Sequence, residues 1–183
     1  MNTQQFVANA VRTMRILWGA LTASTVLLAF VALRMVPAPP STAPGANLVV
    51  IAVVALGAAV ASFLLPANLY RTAARRRRPP LAEPEPGPGG PRGPARFTEH
   101  DVATRMAFAT YMTPFILSMA LSESVSLDGV IEHVFRAPDA LTYGLFAAGT
   151  LLAAVRYPRP ARILAAFERA HGASFPAAGG RPY

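Results

Sequence analysis

The chain contains no cysteine and no lysine. The first absence excludes disulfides, thiolate metal sites and thiol nucleophiles, and it leaves the redox state of the compartment unreadable. The second makes all 17 basic residues arginine, which reads as the composition of a GC-rich bacterial genome rather than as chemistry. Charge is scarce too. Only 14% of residues are charged against 53% hydrophobic, where an ordinary soluble domain carries about 25% charged residues. There is no Ser-His-Asp set, phosphate-binding glycine loop or zinc-protease motif, so neither an enzyme nor a cofactor is expected. A formal charge of +8 would suggest nucleic acid in a soluble protein. Here the arginines sit just outside apolar runs with no aromatic residues interleaved for stacking on bases, so the expected partner is a lipid bilayer and not nucleic acid.

What is abundant is apolar sequence in helix-length runs. Residues Thr3 to Arg15 have Phe6, Val7, Ala10, Val11 and Met14 at helical spacing and read as a short amphipathic lead. Ile16 to Leu33 is uncharged and long enough to span, with Arg15 and Arg34 as flanks and Trp18 near the start, where an indole suits the headgroup region. A secretory signal peptide is the rival reading of this start, but the run is long for one. Pro37 to Gly45 is a connector, Asn47 a candidate cap, and Leu48 to Tyr70 a second span with Pro66 near its end. Arg71 to Arg96 breaks the pattern: it opens with Arg75-Arg76-Arg77-Arg78, continues as a proline- and glycine-rich run, and is expected to be a disordered, partly extended loop.

Phe97-Thr98-Glu99-His100-Asp101-Val102 reads as a helix start capped by Thr98, with Phe97 and Val102 as a staple. The third span runs from Met106 to Val134, carries Pro114, and turns polar at Glu132, His133 and Arg136. Glu132 and Arg136 have the spacing of a helical ion pair. Asp128, Glu132 and His133 would otherwise form a solvated helix end or, less simply, meet a cation. Ala137-Pro138-Asp139 is a turn, Ala140 to Val155 a short fourth span with Tyr143 and Tyr157 as interfacial residues, and Ala161 to His171 an interfacial helix with Ile163, Leu164 and Phe167 on one face.

Two constellations stand out. Small residues recur four apart in every span: Gly19 and Ala23, Gly57 and Ala61, Ser118, Ser122 and Ser126, and Gly144 and Ala148. Such stripes let helices approach closely, within one chain or between copies. The second is Glu123, an acid in the middle of an apolar helix. An ionised carboxylate there costs roughly 2.5–3.5 kcal/mol on insertion scales. It is therefore sheltered or kept for a purpose. Ser122, Ser124 and Ser126 surround it in sequence and can donate to the carboxylate or to nearby backbone carbonyls. No other helix offers an obvious counter-charge. Arg75, Arg76, Arg77 and Arg78 read as a topology signal compatible with binding anionic headgroups.

The segment Ala120-Leu121-Ser122-Glu123-Ser124-Val125-Ser126-Leu127-Asp128-Gly129-Val130-Ile131 resembles the carboxylate-bearing helix of ATP synthase subunit c. The resemblance implies that Glu123 would be a proton- or sodium-binding carboxylate and Ser124 a neighbouring ligand. Subunit c has two helices and a short polar loop, where a four-span chain with a long loop is read here. The whole chain resembles a set of short, uncharacterised bacterial four-helix membrane proteins, through Arg15-Ile16-Leu17-Trp18-Gly19-Ala20 and the Ala120–Ser124 segment. That resemblance implies a fold and no activity.

The expectation is an all-α fold: a four-helix transmembrane bundle with short amphipathic terminal helices. Its segments are a first hairpin (1–70), a loop (71–97), a second hairpin (98–157) and an interfacial helix with its tail (158–183). By the positive-inside rule both termini and the loop face the cytoplasm of a bacterial inner membrane. The expected role is non-enzymatic, through helix association with a second copy or a membrane partner; the alternative is an ion-handling subunit built on Glu123.

Overall fold

The computed structural model describes residues 3–35, 46–82, 95–135 and 140–175. The Pro37–Gly45 connector, the Ala137–Asp139 turn, Arg136 with its expected ion pair, and the centre of the arginine-proline loop lie outside the described residues. The fold is all-α. Helices α1 (Thr3–Met35), α2 (Ala46–Arg76), α3 (His100–Phe135), α4 (Ala140–Ala154) and α5 (Pro160–His171) are accompanied by three very short strands, β1 (Leu81–Ala82) and β2 (Ala95–Phe97) between α2 and α3, and β3 (Ala173–Ser174) after α5.

Helices α1, α2 and α3 are long and apolar enough to cross a membrane, which is the make-up of a membrane protein. The expected amphipathic lead is not separate, because α1 is continuous from Thr3. α2 begins at Ala46, ahead of the candidate cap Asn47, and continues past Tyr70 to Arg76 with Pro66 inside it. α4 has 15 residues, about 22 Å at 1.5 Å per residue, against a hydrocarbon core of ~30 Å.

The chain divides into two compact units, one of Arg15–Ala67 with Phe115–Tyr157, the other of Met1–Met14, Asn68–Pro114 and Pro158–Tyr183. The first unit has an apolar exterior. Among the described residues, every large exposed hydrophobic except Leu69 and Leu81 belongs to it. In α1 and α2 only 11% of the most apolar window is buried, against 44% in α3, so α3 is the helix the others cover. Its interior mixes apolar residues (Ala55, Val125 and Leu145) with polar ones (Thr25, Ser62, Ser118, Ser122 and Ser126).

The second unit is organised the opposite way. Its core is aromatic: the Phe97 ring lies 5.6 Å from Phe167 and 4.7 Å from Phe175, and Ile163 and Phe167 are fully buried. The helix expected to lay Ile163 and Phe167 on a membrane interface therefore uses that face internally. The strands hold it there. β1 pairs antiparallel with β2, and β2 pairs parallel with β3, placing Arg96 opposite Ser174. This pairing also moves the start of α3. The Thr98 N–H donates to Pro80 O (3.2 Å), and Glu99 O accepts the first helical bond, from Ala103 N–H (2.9 Å). Phe97 packs into the aromatic core. α5 stops at Gly172, whose φ of 62° is the left-handed conformation that glycine adopts without strain, and its N–H returns to Glu168 O.

Close packing in the first unit depends on Gly149. A Cβ there would collide with Ser126 Oγ and lie 2.9 Å from Ser122 O and 3.0 Å from Ser126 N, whereas a Cβ at Gly144 would meet nothing within 4 Å. Gly149→Ala is expected to lower stability by roughly 1–3 kcal/mol and Gly144→Ala by less than about 0.5 kcal/mol, read as thermal unfolding in detergent. Equal effects at the two sites would refute the close approach of α3 and α4.

Candidate functional site

The polar side chains inside the Arg15–Ala67 and Phe115–Tyr157 unit converge on α3. The largest group is Arg156, in the turn that ends α4. Its Nη1 donates to Ser122 Oγ and to Leu152 O (2.8 Å), and its Nη2 donates to Ser62 O (2.8 Å) and Ser62 Oγ (2.9 Å). Each serine passes the interaction on: Ser122 Oγ donates to Ser118 O (2.8 Å) and Ser62 Oγ to Ala59 O (2.6 Å). The guanidinium carbon sits 4.7 Å from the centre of the Phe63 ring, a cation–π contact. One arginine thus ties α2 and α3 to the end of α4. A hydroxyl is suited to this task because it accepts from the cation while donating to its own helix.

Glu123 lies half-buried on another side of α3. Ser24 Oγ, from α1, donates to its Oε1 at 2.6 Å. The neighbours singled out by sequence are engaged elsewhere. Ser122 and Ser124 donate to the carbonyls of Ser118 and Leu121, and Ser126 is fully buried at Gly149. Of the two acceptors open to them, the Ser122 and Ser124 hydroxyls use the backbone, whereas the buried Ser126 Oγ has no hydrogen-bond partner among the described residues. The donor comes from a helix that sequence spacing could not connect to Glu123. The same Ser24 Oγ also lies 3.0 Å from Leu21 O. Its single proton therefore has two alternative acceptors.

Two further contacts complete the interior. Trp18 Nε1 donates to Ala153 O at 2.8 Å, and the indole stands edge-on to Tyr157 at 5.1 Å, with Arg15 over the Tyr157 ring at 5.3 Å. This joins α1 to the end of α4. At the far end of α3, Glu132 and His133 are fully buried rather than solvated. Thr142 Oγ1 of α4 donates to Glu132 Oε2, so the packing of α4 on this turn removes it from solvent. Among the described residues no three ligating side chains converge as a metal site would require.

The small-residue pairs fall into two groups. Ser118, Ser122 and Ser126 are buried in the interior, and Ala148 packs against the Ala55–Val125–Leu145 cluster. Gly19 and Ala23 line a shallow apolar groove along α1, and Gly57 and Ala61 one along α2. A Cβ at Gly19, Gly57 or Gly144 would meet nothing within 4 Å. In the other unit Arg75, Arg76, Arg77 and Arg78 are all exposed at the end of α2. Sequence reasoning missed Arg156, which reads as a flanking anchor, and Gly149, one small residue among many. The available signal was an arginine only 16 residues after Ala140, too soon for a full crossing.

If Arg156 holds three helices, its loss should be felt widely. Arg156→Gln is expected to destabilise the protein by roughly 1.5–3 kcal/mol, the range for hydrogen bonds to a charged group, while Arg34→Gln is expected to have no measurable effect on unfolding in detergent. An unfolding midpoint for Arg156→Gln that matches the unaltered protein would sink this reading.

Comparison with protein-family models, curated proteins and solved structures finds no match for the chain.

Proposed function

We propose that this is a non-enzymatic integral membrane protein of the bacterial inner membrane. Four helices cross as a bundle, the short α4 being the fourth. Both termini and the arginine-rich segment face the cytoplasm, as arginine placement favours. It acts through helix association with a second copy or a membrane partner. The observation that carries this reading is that Gly19–Ala23 and Gly57–Ala61 line shallow apolar grooves along α1 and α2. Buried small residues serve internal packing; exposed ones in lipid leave room for another helix to approach backbone to backbone. The polar groups support the same reading. Arg156 engages Ser62 and Ser122, and Ser24 separately engages Glu123, which leaves the exterior to recognition by shape.

Gly57→Ile, which fills one groove and blocks close backbone approach, is expected to reduce self-association about tenfold, measured by sedimentation in detergent. Val54→Ile, at an exposed position of the same helix that does not line the groove, serves as the control. Association unchanged by both Gly57→Ile and Gly19→Ile would remove the proposal.

A second reading rests on Ser24. When Glu123 is ionised, Ser24 donates to it; when Glu123 is protonated, its own proton can be donated to Ser24 Oγ while the serine proton turns to Leu21 O. Both charge states then find a partner without helix movement, as a reversible proton carrier requires. This reading expects carbodiimide to modify Glu123 in the intact protein, with sodium or pH altering the rate, and expects Ser24→Ala to change that dependence. Labelling that is insensitive to both would leave Glu123 as a helix-joining group.

A further inference from the structure

We infer that the end of α2 and the outer face of α5 together form a binding surface for the phosphates of anionic phospholipids. This rests on the proposed membrane crossing by α2. The argument begins with depth along one helix. Leu69 of α2 is 44% exposed, and Arg71 follows two residues later, then Arg75 and Arg76 at the helix end. At 1.5 Å per residue, Leu69 to Arg76 covers about 10 Å. The headgroup layer is roughly 5–7 Å thick on each side of the hydrocarbon. With the exposed leucine at its inner edge, the arginines fall at phosphate level or just beyond, within the ~8 Å range over which charge acts at physiological salt.

α5 joins this surface. Its apolar face is closed into the core through Ile163 and Phe167, so it meets a bilayer by charge rather than by insertion. Arg162 and Arg169 are exposed on it, seven residues apart and so on one side of the helix. The tie to α2 is His171. Its Nε2 lies 3.1 Å from Ala74 O and 2.9 Å from Arg77 O, and its Nδ1 lies 3.0 Å from Phe167 O. The imidazole thereby meets two carbonyls where α2 ends, Ala74 O, which also accepts from Arg77 N–H at 3.1 Å, and Arg77 O just past the helix, and fixes the arginines of α5 beside those of α2.

Among the described residues, the charge of this surface is also unanswered. Glu168, the carboxylate on α5, accepts from Phe175 N–H at 2.8 Å. None of the described carboxylates forms an ion pair with Arg71, with the Arg75–Arg78 run or with Arg162. Guanidinium groups left exposed and clustered match phosphate oxygens, which they bind through paired N–H donors. Lipid phosphate is the occupant, because the cluster starts two residues past an exposed leucine on an apolar helix.

The test uses the full chain purified in mild detergent and titrated with phosphatidylglycerol or phosphatidylcholine, with retained lipid counted by native mass spectrometry. The unaltered protein is expected to hold phosphatidylglycerol at least tenfold more tightly. Replacing Arg75–Arg78 by Gln, or Arg162 and Arg169 by Gln, is expected to reduce that preference about tenfold or more in each case, since each arginine near an anionic surface contributes measurably. The corresponding Lys variants are expected to keep most of it. Equal retention of the two lipids overturns the proposal. So does loss on α2 with none on α5, which would dissolve the shared surface. Displacement of phosphatidylglycerol by millimolar inorganic phosphate would assign the surface to a soluble anion and overturn it too. Recovery of the folded protein from the aqueous phase without detergent would instead remove the membrane reading beneath it.

Discussion

A guanidinium placed among apolar helices is stable only if its donors are answered there. Arg156 meets this condition with two serine hydroxyls and two backbone carbonyls, drawn from α2, α3 and the end of α4. Each such bond replaces a hydration contact that burial removes and fixes a helix in the process. The serines cannot move without exposing the cation, and α4 cannot slide along α3 without withdrawing it. Gly149 enforces the same register by shape, since only glycine admits Ser126 at that distance. Charge and packing thus fix one arrangement of α3 and α4 by independent means.

The remaining polar contacts repeat that logic on α1. Ser24 reaches Glu123, and Trp18 reaches Ala153 O, so α1 is joined to α3 at its middle and to α4 at its end. Membrane hydrogen bonds of this kind are individually modest, about 0.6 kcal/mol on average. Their effect here comes from distribution, with at least one on every helix of the unit. The exterior is left almost wholly apolar. The other unit reverses this order, with an aromatic core and an arginine-rich surface. The two exteriors suit two different solvents.

Much of the fold was legible from the sequence. Apolar runs of span length between arginines give α1, α2 and α3, because a stretch that long and that apolar is poorly accommodated anywhere but in hydrocarbon. Glu123 stood out because a lone acid in an apolar run is rare. Its partner did not, because Ser24 is one hydroxyl among many and spacing along one helix says nothing about its neighbours. Arg156 was hidden by position: at the end of a span, an arginine reads as an anchor, and only the shortness of α4 hints that it turns inward. α5 illustrates another limit. Its periodicity shows that Ile163 and Phe167 share a face, but a stripe specifies that something covers it, not what does. The strands that close the aromatic core are two or three residues long, too short for alternation to register.

The separation of small residues into buried and outward sets bears most directly on function. A protein needing only internal cohesion would gain by filling Gly19 and Gly57, where a side chain meets no obstacle. Larger side chains there would add contacts with lipid and raise helix propensity. Glycine at an unobstructed position inside a helix therefore lowers local stability without an internal packing reason. The proposed association, with another backbone approaching along the groove, would supply a reason outside the chain. The polar interior and the open exterior are then complementary: one holds the helices in register so that the other presents a fixed surface.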